Sequence, residues 1–117
     1  MFKTIQIGGQ TVDLLSNAAT PIRFQQIFHK DLIKSLMDAA KERSIAVSMA
    51  PELAFVMHQQ AKKADMMVQN VDTFIEWLEG FGGMDFVEAA DEIWAVYYGT
   101  SVNESEPKKK DVKPKGK

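Results

Sequence analysis

Residues 20–43 have the sequence TPIRFQQIFHKDLIKSLMDAAKER, and the spacing of its apolar residues decides the fold class. These residues recur at intervals of three and four, which places them on one face of an α-helix. Thr20 can cap the free amides of a helix, and Pro21 suits the first helical position, where no amide hydrogen is needed. We therefore predict one helix from Thr20 to about Arg43, whose buried stripe comprises Phe24, Ile27, Phe28, Leu32 and Leu36.

The residues before this helix predict a β-hairpin over residues 2–15, because apolar and polar residues alternate on both sides of Gly8-Gly9. A two-residue Gly-Gly link suits a type I′ turn, in which both central residues need a positive φ. This register places Ile5 opposite Val12 on one face of the hairpin. Since two strands alone are only marginally stable, we expect helices to cover that face.

Two further helices are predicted in the middle of the chain. The second helix starts at Pro51, because proline at the first helical position and an acid directly after it both favour an N-terminus. Its apolar face continues to Met67. The third helix opens at about Asn70 and ends before the glycine pair at 82–83, since glycine permits the left-handed residue that often closes a helix.

The fourth helix is predicted from Asp85 to Gly99. The Asp85 carboxylate can accept an amide while Glu88, three residues on, reaches back, as in a capping box. Apolar residues nearly vanish after it, so residues 101–117 are predicted to be a disordered lysine-rich tail. The expected architecture is mainly α: a single domain over residues 1–100, with a small N-terminal β-hairpin, a compact bundle of about four helices and then the tail.

The charge of the chain is divided unevenly between body and tail. Residues 104–117 contain six lysines against three acids and carry +3, whereas the remaining body carries −5. An acidic body repels phosphate backbones, which argues against nucleic acid as a partner. The tail has no aromatic residue on which bases could stack, so a solubilising tail or linker is the favoured interpretation.

Groups that could support catalysis do not converge in the sequence, so we predict a non-enzymatic protein with no catalytic residue, no cofactor and no metal. The absence of cysteine excludes a disulfide framework, a thiolate zinc site and a thiol nucleophile. His29 and His58 have no second ligand at a neighbouring helical position and are interpreted as surface residues. Acid pairs such as Glu76 and Glu79 fit solvated helix faces. No run is long and apolar enough for a membrane span, so no membrane partner is expected.

Apolar surface is what remains for binding a partner. Methionine adapts to irregular neighbours, so the methionines at 37, 49, 57, 66, 67 and 84 fit either a core or a groove that grips varied apolar helices. Aromatic residues dominate cores and binding anchors alike. Six aromatic residues are therefore candidate partner-binding anchors, with core packing as the alternative: Phe24, Phe28, Trp77, Phe81, Trp94 and Tyr97.

Several segments resemble the tail assembly chaperones of long-tailed, siphovirus-type bacteriophages and prophages of Gram-positive bacteria. The first is SNAATPIRF at 16–24, followed by Phe28 and by KDL at 30–32. The later segments AKKA at 61–64, FIEWLEGF at 74–81 and IW at 93–94 are similar in order and spacing. The resemblance covers most of residues 2–98. Gly82-Gly83 departs from it, because bulkier residues are typical of the family between the last two helices.

This resemblance implies a protein that binds the tape measure protein, the long helical ruler of the tail, and keeps it soluble until the tail tube polymerises. It also implies action in the host bacterial cytoplasm and absence from the mature virion. Such genes are often read with a ribosomal frameshift, and the longer product recruits the tail tube protein. Lys108-Lys109-Lys110 is the expected shift site, since consecutive lysine codons are slippery. Association into a homo-oligomer is left open.

The alternative function is a small phage or bacterial regulator, in which the helical body dimerises and the basic tail contacts nucleic acid. Binding by such a regulator falls steeply with salt, because cations are released from the phosphates. Capture of an apolar helix is expected to be nearly indifferent to salt. The two functions therefore differ in a property that a binding experiment can measure.

Overall fold

The computed structural model describes residues 1–99, which form two β-strands and five α-helices. A short 3₁₀ turn at Met66–Val68 lies between the third and fourth helices. The prediction of a mainly helical chain with an N-terminal hairpin is confirmed, and the predicted tail at 101–117 lies outside the described residues. The elements are β1 (Phe2–Ile7), β2 (Gln10–Leu15), α1 (Thr20–Phe28), α2 (Leu32–Lys41), α3 (Arg43–Ala61), α4 (Val71–Leu78) and α5 (Asp85–Tyr98).

The hairpin has the predicted turn and register. Gly8 and Gly9 both adopt a positive φ, at 59° and 84°, as a type I′ turn requires. Ile5 pairs with Val12, and both side chains are buried. The covered face of β1 and β2 packs on α3 and α5, so the helices supply the support that two strands need.

Helix α3 lies at the centre of the molecule and contacts β2, α1, α2, α4 and α5. Polar contacts also fix the hairpin to the helices. Nδ1 of His58 donates to the carbonyl of Asp13 at 2.8 Å, and the buried Ser16 hydroxyl donates to the carbonyl of Val96 at 2.9 Å. Because α3 contacts every other helix, the size of the side chains on its surface determines where the packed helices leave a groove.

The predicted single helix over residues 20–43 is wrong, since α1 and α2 are separate helices. His29 takes the left-handed conformation, with φ 58°, that commonly closes a helix. Asp31 then caps α2, because its carboxylate accepts the amides of Ile33 at 2.9 Å and Lys34 at 3.3 Å. The apolar spacing runs across the break unchanged, so periodicity alone did not reveal it.

Replacement of this cap gives a first testable prediction. Asp31→Ala removes the acceptor for two amides at the start of α2, and we expect the free energy of unfolding to fall by about 1 kcal/mol. Urea denaturation followed by circular dichroism measures the change. Asp38→Ala, an exposed acid in the interior of the same helix, is the matched control and should change it by less than about 0.5 kcal/mol. Equal effects of the two substitutions would show that Asp31 does not act as a cap.

The predicted capping role of Thr20 is also wrong. Thr20 is the first residue of α1 and is fully buried, and the flanking Ala19 makes no side-chain cap. The Thr20 hydroxyl oxygen instead accepts the amide of Asn17 at 3.0 Å and the side-chain amide of Gln60 at 3.2 Å. It thereby joins the loop after the hairpin to α3. The predicted helix start at this position is nevertheless confirmed.

Pro51 does not begin the second predicted helix, because α3 already begins at Arg43 and Pro51 lies within it. A proline inside a helix removes one backbone hydrogen bond. The burial of Met49, Ala50 and Leu53 on both sides of it favours the continuous helix. The helix ends at Ala61, six residues before the predicted end at Met67.

The last two helices agree with the sequence in position but differ in one cap. Asn70 and Thr73 form a reciprocal capping box at the start of α4, and Gly99 closes α5 with a φ of 72°. The predicted capping box of Asp85 with Glu88 is wrong: Met84 is the N-terminal flanking residue and makes no side-chain cap. The Asp85 carboxylate instead accepts the amide of Gly82 at 2.7 Å. Asp85 thus holds the corner between α4 and α5.

Candidate functional site: an apolar groove beside α3

Three of the six predicted anchors lie in the core: Phe24, Phe28 and Trp94. Phe24 is fully buried and Phe28 is 8% exposed. The Phe28 ring lies 5.2 Å from that of Phe24 and 5.0 Å from that of Phe74, centroid to centroid. Neither Phe24 nor Phe28 offers a surface to a partner in this conformation. Both occupy the core, which is the alternative role that the sequence left open.

Trp94 and Tyr97 lie on α5. Trp94 is buried, and its indole nitrogen donates to the carbonyl of Ala46 at 2.8 Å, which fastens α5 to α3. Tyr97 is half-buried, and burial together with the neighbouring Tyr98 raises the pKa of its phenol. Trp94 therefore has a structural position, whereas Tyr98, which the sequence did not single out, is the exposed ring of this group.

Trp77 and Phe81 continue a chain of aromatic rings from the core to the surface. Trp77 lies 5.6 Å from Phe55 and 5.4 Å from Phe86, and Phe81 lies 4.9 Å from Phe86. Both Trp77 and Phe81 are half-buried. Of the six predicted anchors, Phe81 is the one that reaches the main apolar depression on the described surface.

That depression, which we call the apolar groove, has a volume of about 620 Å³. Helix α3 forms one wall, and the end of α4, the α4–α5 corner and the start of α5 form the other. Within residues 1–99, no charged side chain lines it. Its lining residues are Ser44, Val47, Ser48, Pro51, Leu78, Phe81, Gly82, Gly83, Phe86 and Val87.

Small residues on both walls keep the groove open. Gly82 and Gly83 place bare backbone at the corner, and a Cβ at Gly83 would meet nothing within 4 Å. On the facing wall, Pro51 carries only a short ring.

An exposed ion pair crosses the two walls beyond the groove. The guanidinium of Arg43 lies 2.8 Å from the carboxylate of Asp91, joining the start of α3 to the middle of α5. This hydrogen bond, and then the charge of Asp91, raise the pKa of Arg43 above its ordinary value. Because both side chains are largely exposed, the pair contributes little to stability.

The methionines divide between the two predicted roles. Met49 and Met57 are buried in the core. Met37, Met67 and Met84 are exposed, and Met84 stands at the α4–α5 corner next to Gly83. The exposed methionines lie on different elements, and none of them lines the apolar groove, whereas Met66 and Met67 line a separate shallow depression.

The two histidines differ in their surroundings. His29 is exposed, as predicted. His58 is half-buried rather than a surface residue, because it stacks on Trp77 with centroids 5.6 Å apart while it bonds to the hairpin. Residues 1–99 hold no cluster of three side chains suited to a metal ion. Over the same residues, no helix combines the length and apolar character needed to cross a membrane.

No protein-family model matches the chain, and no curated protein or solved structure matches it either. The groove geometry and the sequence resemblance are therefore the grounds for a function. Sequence reasoning found Phe81 but missed the α3 wall, because Pro51 was interpreted as a helix start. A signal was present: residues 44–51 combine small and apolar side chains with no charge, which is unusual for a surface helix.

Proposed function

We propose that this protein is a tail assembly chaperone of a long-tailed bacteriophage or prophage of Gram-positive bacteria. In this proposal it binds the tape measure protein and keeps it soluble until the tail tube polymerises. The observation that carries the proposal is the open apolar groove formed by α3 and the α4–α5 corner. The resemblance of residues 16–32 and 61–94 to such chaperones supports the choice of partner.

The physical basis is the burial of apolar stripes on a long helix. A ruler protein left alone exposes contiguous apolar surface and aggregates. A groove lined by Leu78, Phe81 and Phe86 covers several side chains of one such stripe, as in other helix-in-groove complexes. The acidic body then confers net charge on the complex and keeps it dispersed. Many weak sites along one ruler hold by multivalency, yet each releases its segment readily.

The remaining parts of the proposal concern the cell and the gene. The chaperone acts in the host bacterial cytoplasm and leaves before the virion is complete. A frameshift at Lys108-Lys109-Lys110 yields a minor longer form that recruits the tail tube protein. Sequencing the gene tests this part: a slippery run followed by an overlapping open frame supports it, and a run with no such frame removes it.

Copurification tests the proposal against the regulator alternative. A tagged tape measure protein, coexpressed with this chain, should retain it through a wash at high salt, because apolar contacts are not screened. Duplex DNA of mixed sequence, offered to the purified chain, should bind weakly at most. Recovery of no complex at any ratio, together with tight DNA binding that falls steeply with salt, would instead identify the regulator.

A further inference from the structure

We propose that this protein associates with a second copy of itself, and that the exposed side of α2 in one copy packs on the exposed side of α4 in the other. The proposal goes beyond the chaperone function and does not depend on it. Each of the two helices carries an apolar stripe that is open to solvent. The charges beside the two stripes have opposite sign, and they are what selects a second copy as the partner.

The α2 stripe comprises Ile33, Met37 and Ala40, whose spacing of four and three residues places them along one side of the helix. Ile33 is 57% exposed, Met37 is 60% exposed, and Ala40 is exposed as well. Leu32 and Leu36 pack into the core from the neighbouring side of the same helix. The α2 stripe is thus a second apolar side, which the rest of the described chain leaves open.

The α4 stripe has the same spacing and comprises Val71, Ile75 and Leu78. Val71 is 48% exposed and Ile75 is 47% exposed, whereas Leu78 is half-buried and lines the apolar groove. Seven residues of α-helix rise by about 10 Å, so the α2 stripe and the α4 stripe have equal length. Rows of this kind interlock when two helices lie side by side.

Lysines border the α2 stripe. On a helix surface the residues three before and four after a given position are its neighbours, and for Met37 these are Lys34 and Lys41. Both lysines are exposed, and neither forms an ion pair with another described residue. Asp38 lies farther round the helix from the stripe, so positive charge dominates this border.

Acids border the α4 stripe in the same arrangement. Asp72 and Glu79 lie three residues before and four residues after Ile75, and Glu76 follows it directly. All three acids are exposed, and none forms an ion pair with another described residue. Residues 71–79 contain no lysine, arginine or histidine, so no basic residue of this segment offsets the negative border.

These charges decide between the possible pairings of two copies. Two α4 stripes brought together would set acids against acids, and repulsion opposes that pairing. Two α2 stripes would set lysines against lysines in the same way. An α2 stripe on an α4 stripe brings lysines next to unpaired carboxylates while it buries both apolar rows. The favoured contact is therefore α2 of one copy on α4 of the other.

The lysine-rich segment of the chain fits the α4 stripe less well. Residues 104–117 have the right charge, but Val112 is their only large aliphatic or aromatic residue, so they cannot cover a row of three apolar side chains. A second copy supplies such a row together with the lysines. Because each stripe offers only a few side chains, a single contact is small and the association should be weak.

Sedimentation equilibrium of the full chain measures the association. At low salt the average mass should rise above that of one chain as the concentration increases to about 1 mM. High salt should lower it, because ions screen the exposed charges. The mass of one chain at every concentration in this range overturns the proposal, and it would fit stripes that are covered within one chain or by a different protein.

Four substitutions by glutamate locate the contact. Ile33→Glu on α2 and Ile75→Glu on α4 each place a carboxylate in a stripe at an exposed position, so the fold should persist while self-association weakens at least about tenfold. Ile22→Glu, at a residue of α1 that is 58% exposed, adds the same charge outside both stripes and should leave self-association unchanged. Val87→Glu places the carboxylate on the wall of the apolar groove and should leave it unchanged too. Full association of either stripe variant, or its loss in Val87→Glu, contradicts the proposal.

A mixture of the two stripe variants separates the mixed contact from a contact of like faces. The Ile75→Glu variant keeps an intact α2 stripe, and the Ile33→Glu variant keeps an intact α4 stripe. One contact of α2 on α4 can therefore form between them, and an equimolar mixture should contain a complex of two chains that neither variant forms alone at the same concentration. If mixing restores no complex, α2 does not pack on α4 and the proposal fails.

A charge reversal tests the acidic border. Glu79→Lys should weaken self-association several-fold at low salt, because it removes a carboxylate that faces the lysines of α2 in the second copy. Glu92→Lys, at an exposed position of α5, changes the net charge equally and should have a smaller effect. Equal effects of the two variants would assign the salt dependence to net charge and contradict the selection by the α4 border.

Discussion

Phe55→Ala should lower the free energy of unfolding by about 3–5 kcal/mol, a large share of the total stability of a domain of this size. Phe55 is 1% exposed and lies at the middle of the aromatic chain, with its ring 5.4 Å from that of Phe74 and 5.6 Å from that of Trp77. Removal of the ring leaves a cavity lined by three helices. Each of these helices also packs against other parts of the protein, so they cannot all shift to fill the cavity. Denaturant unfolding monitored by circular dichroism and by tryptophan fluorescence measures the loss.

Phe2→Ala is the matched control for this prediction, because Phe2 is the same residue type at 58% exposure. It should change the free energy of unfolding by less than about 0.5 kcal/mol. A loss of less than about 1 kcal/mol for Phe55→Ala would mean that the aromatic chain is not the core of the protein. The aromatic residues would then be free to serve as binding anchors, contrary to the positions of Phe24 and Phe28.

Thr20→Val should destabilise the protein by about 1–3 kcal/mol, although the two side chains have nearly the same shape. The hydroxyl of Thr20 accepts the amide of Asn17 and the side-chain amide of Gln60 in a fully buried position. Gln60 keeps other acceptors, including the carbonyl of Leu15 at 3.2 Å. The amide of Asn17 also loses its partner; because this hydrogen bond is only partly buried, water offsets part of that loss.

Thr11→Val provides the comparison, since Thr11 is exposed and accepts a hydrogen bond from Gln6 that water can replace. Its effect on the free energy of unfolding should stay below about 0.5 kcal/mol. Thermal melting of both variants gives the ranking. If Thr20→Val were as stable as the parent, Thr20 would be an ordinary helix-start residue and not the link between the hairpin loop and α3.

The hairpin turn and the positions of two helix ends, at Asn70 and Gly99, could be predicted from the sequence. Gly8-Gly9 has no low-energy alternative to a tight turn between alternating strands, and Asn70 and Gly99 cap their helices through residues close to them in the chain. The break after Phe28 was missed because apolar spacing continues through it. The break is stabilised by the Asp31 cap at the start of α2, and a cap cannot be detected from the spacing of apolar residues.

Pro51 shows a second reason why prediction from the sequence fails: tertiary packing overrides the local helix-start signal at this residue. Proline at a helix start is the usual arrangement, but burial of the residues on both sides keeps α3 continuous through it. Tertiary packing is also the reason why the sequence did not predict the groove. Its walls come from residues 44–51, 78–83 and 86–87, which only the packing of α4 and α5 on α3 brings together. Periodicity identifies an apolar face but does not say whether a neighbour covers it.

The groove and the net negative charge of the body together suggest how the proposed chaperone binds and releases its partner. Apolar contacts hold a helical segment, and the net negative charge of the body keeps loaded complexes apart. Each groove covers a short stretch, so one site alone binds weakly. Polymerising tube subunits can therefore displace the copies one at a time, without any chemical step.

The most direct measurement is the soluble fraction of the tape measure protein after coexpression with this chain. The wild-type chain and Ile22→Glu should both hold most of it in the supernatant, whereas Val87→Glu should leave it in the pellet. Circular dichroism should show all three forms of the chain equally folded. If the tape measure protein sediments to the same extent with and without the wild-type chain, the proposed chaperone function is contradicted.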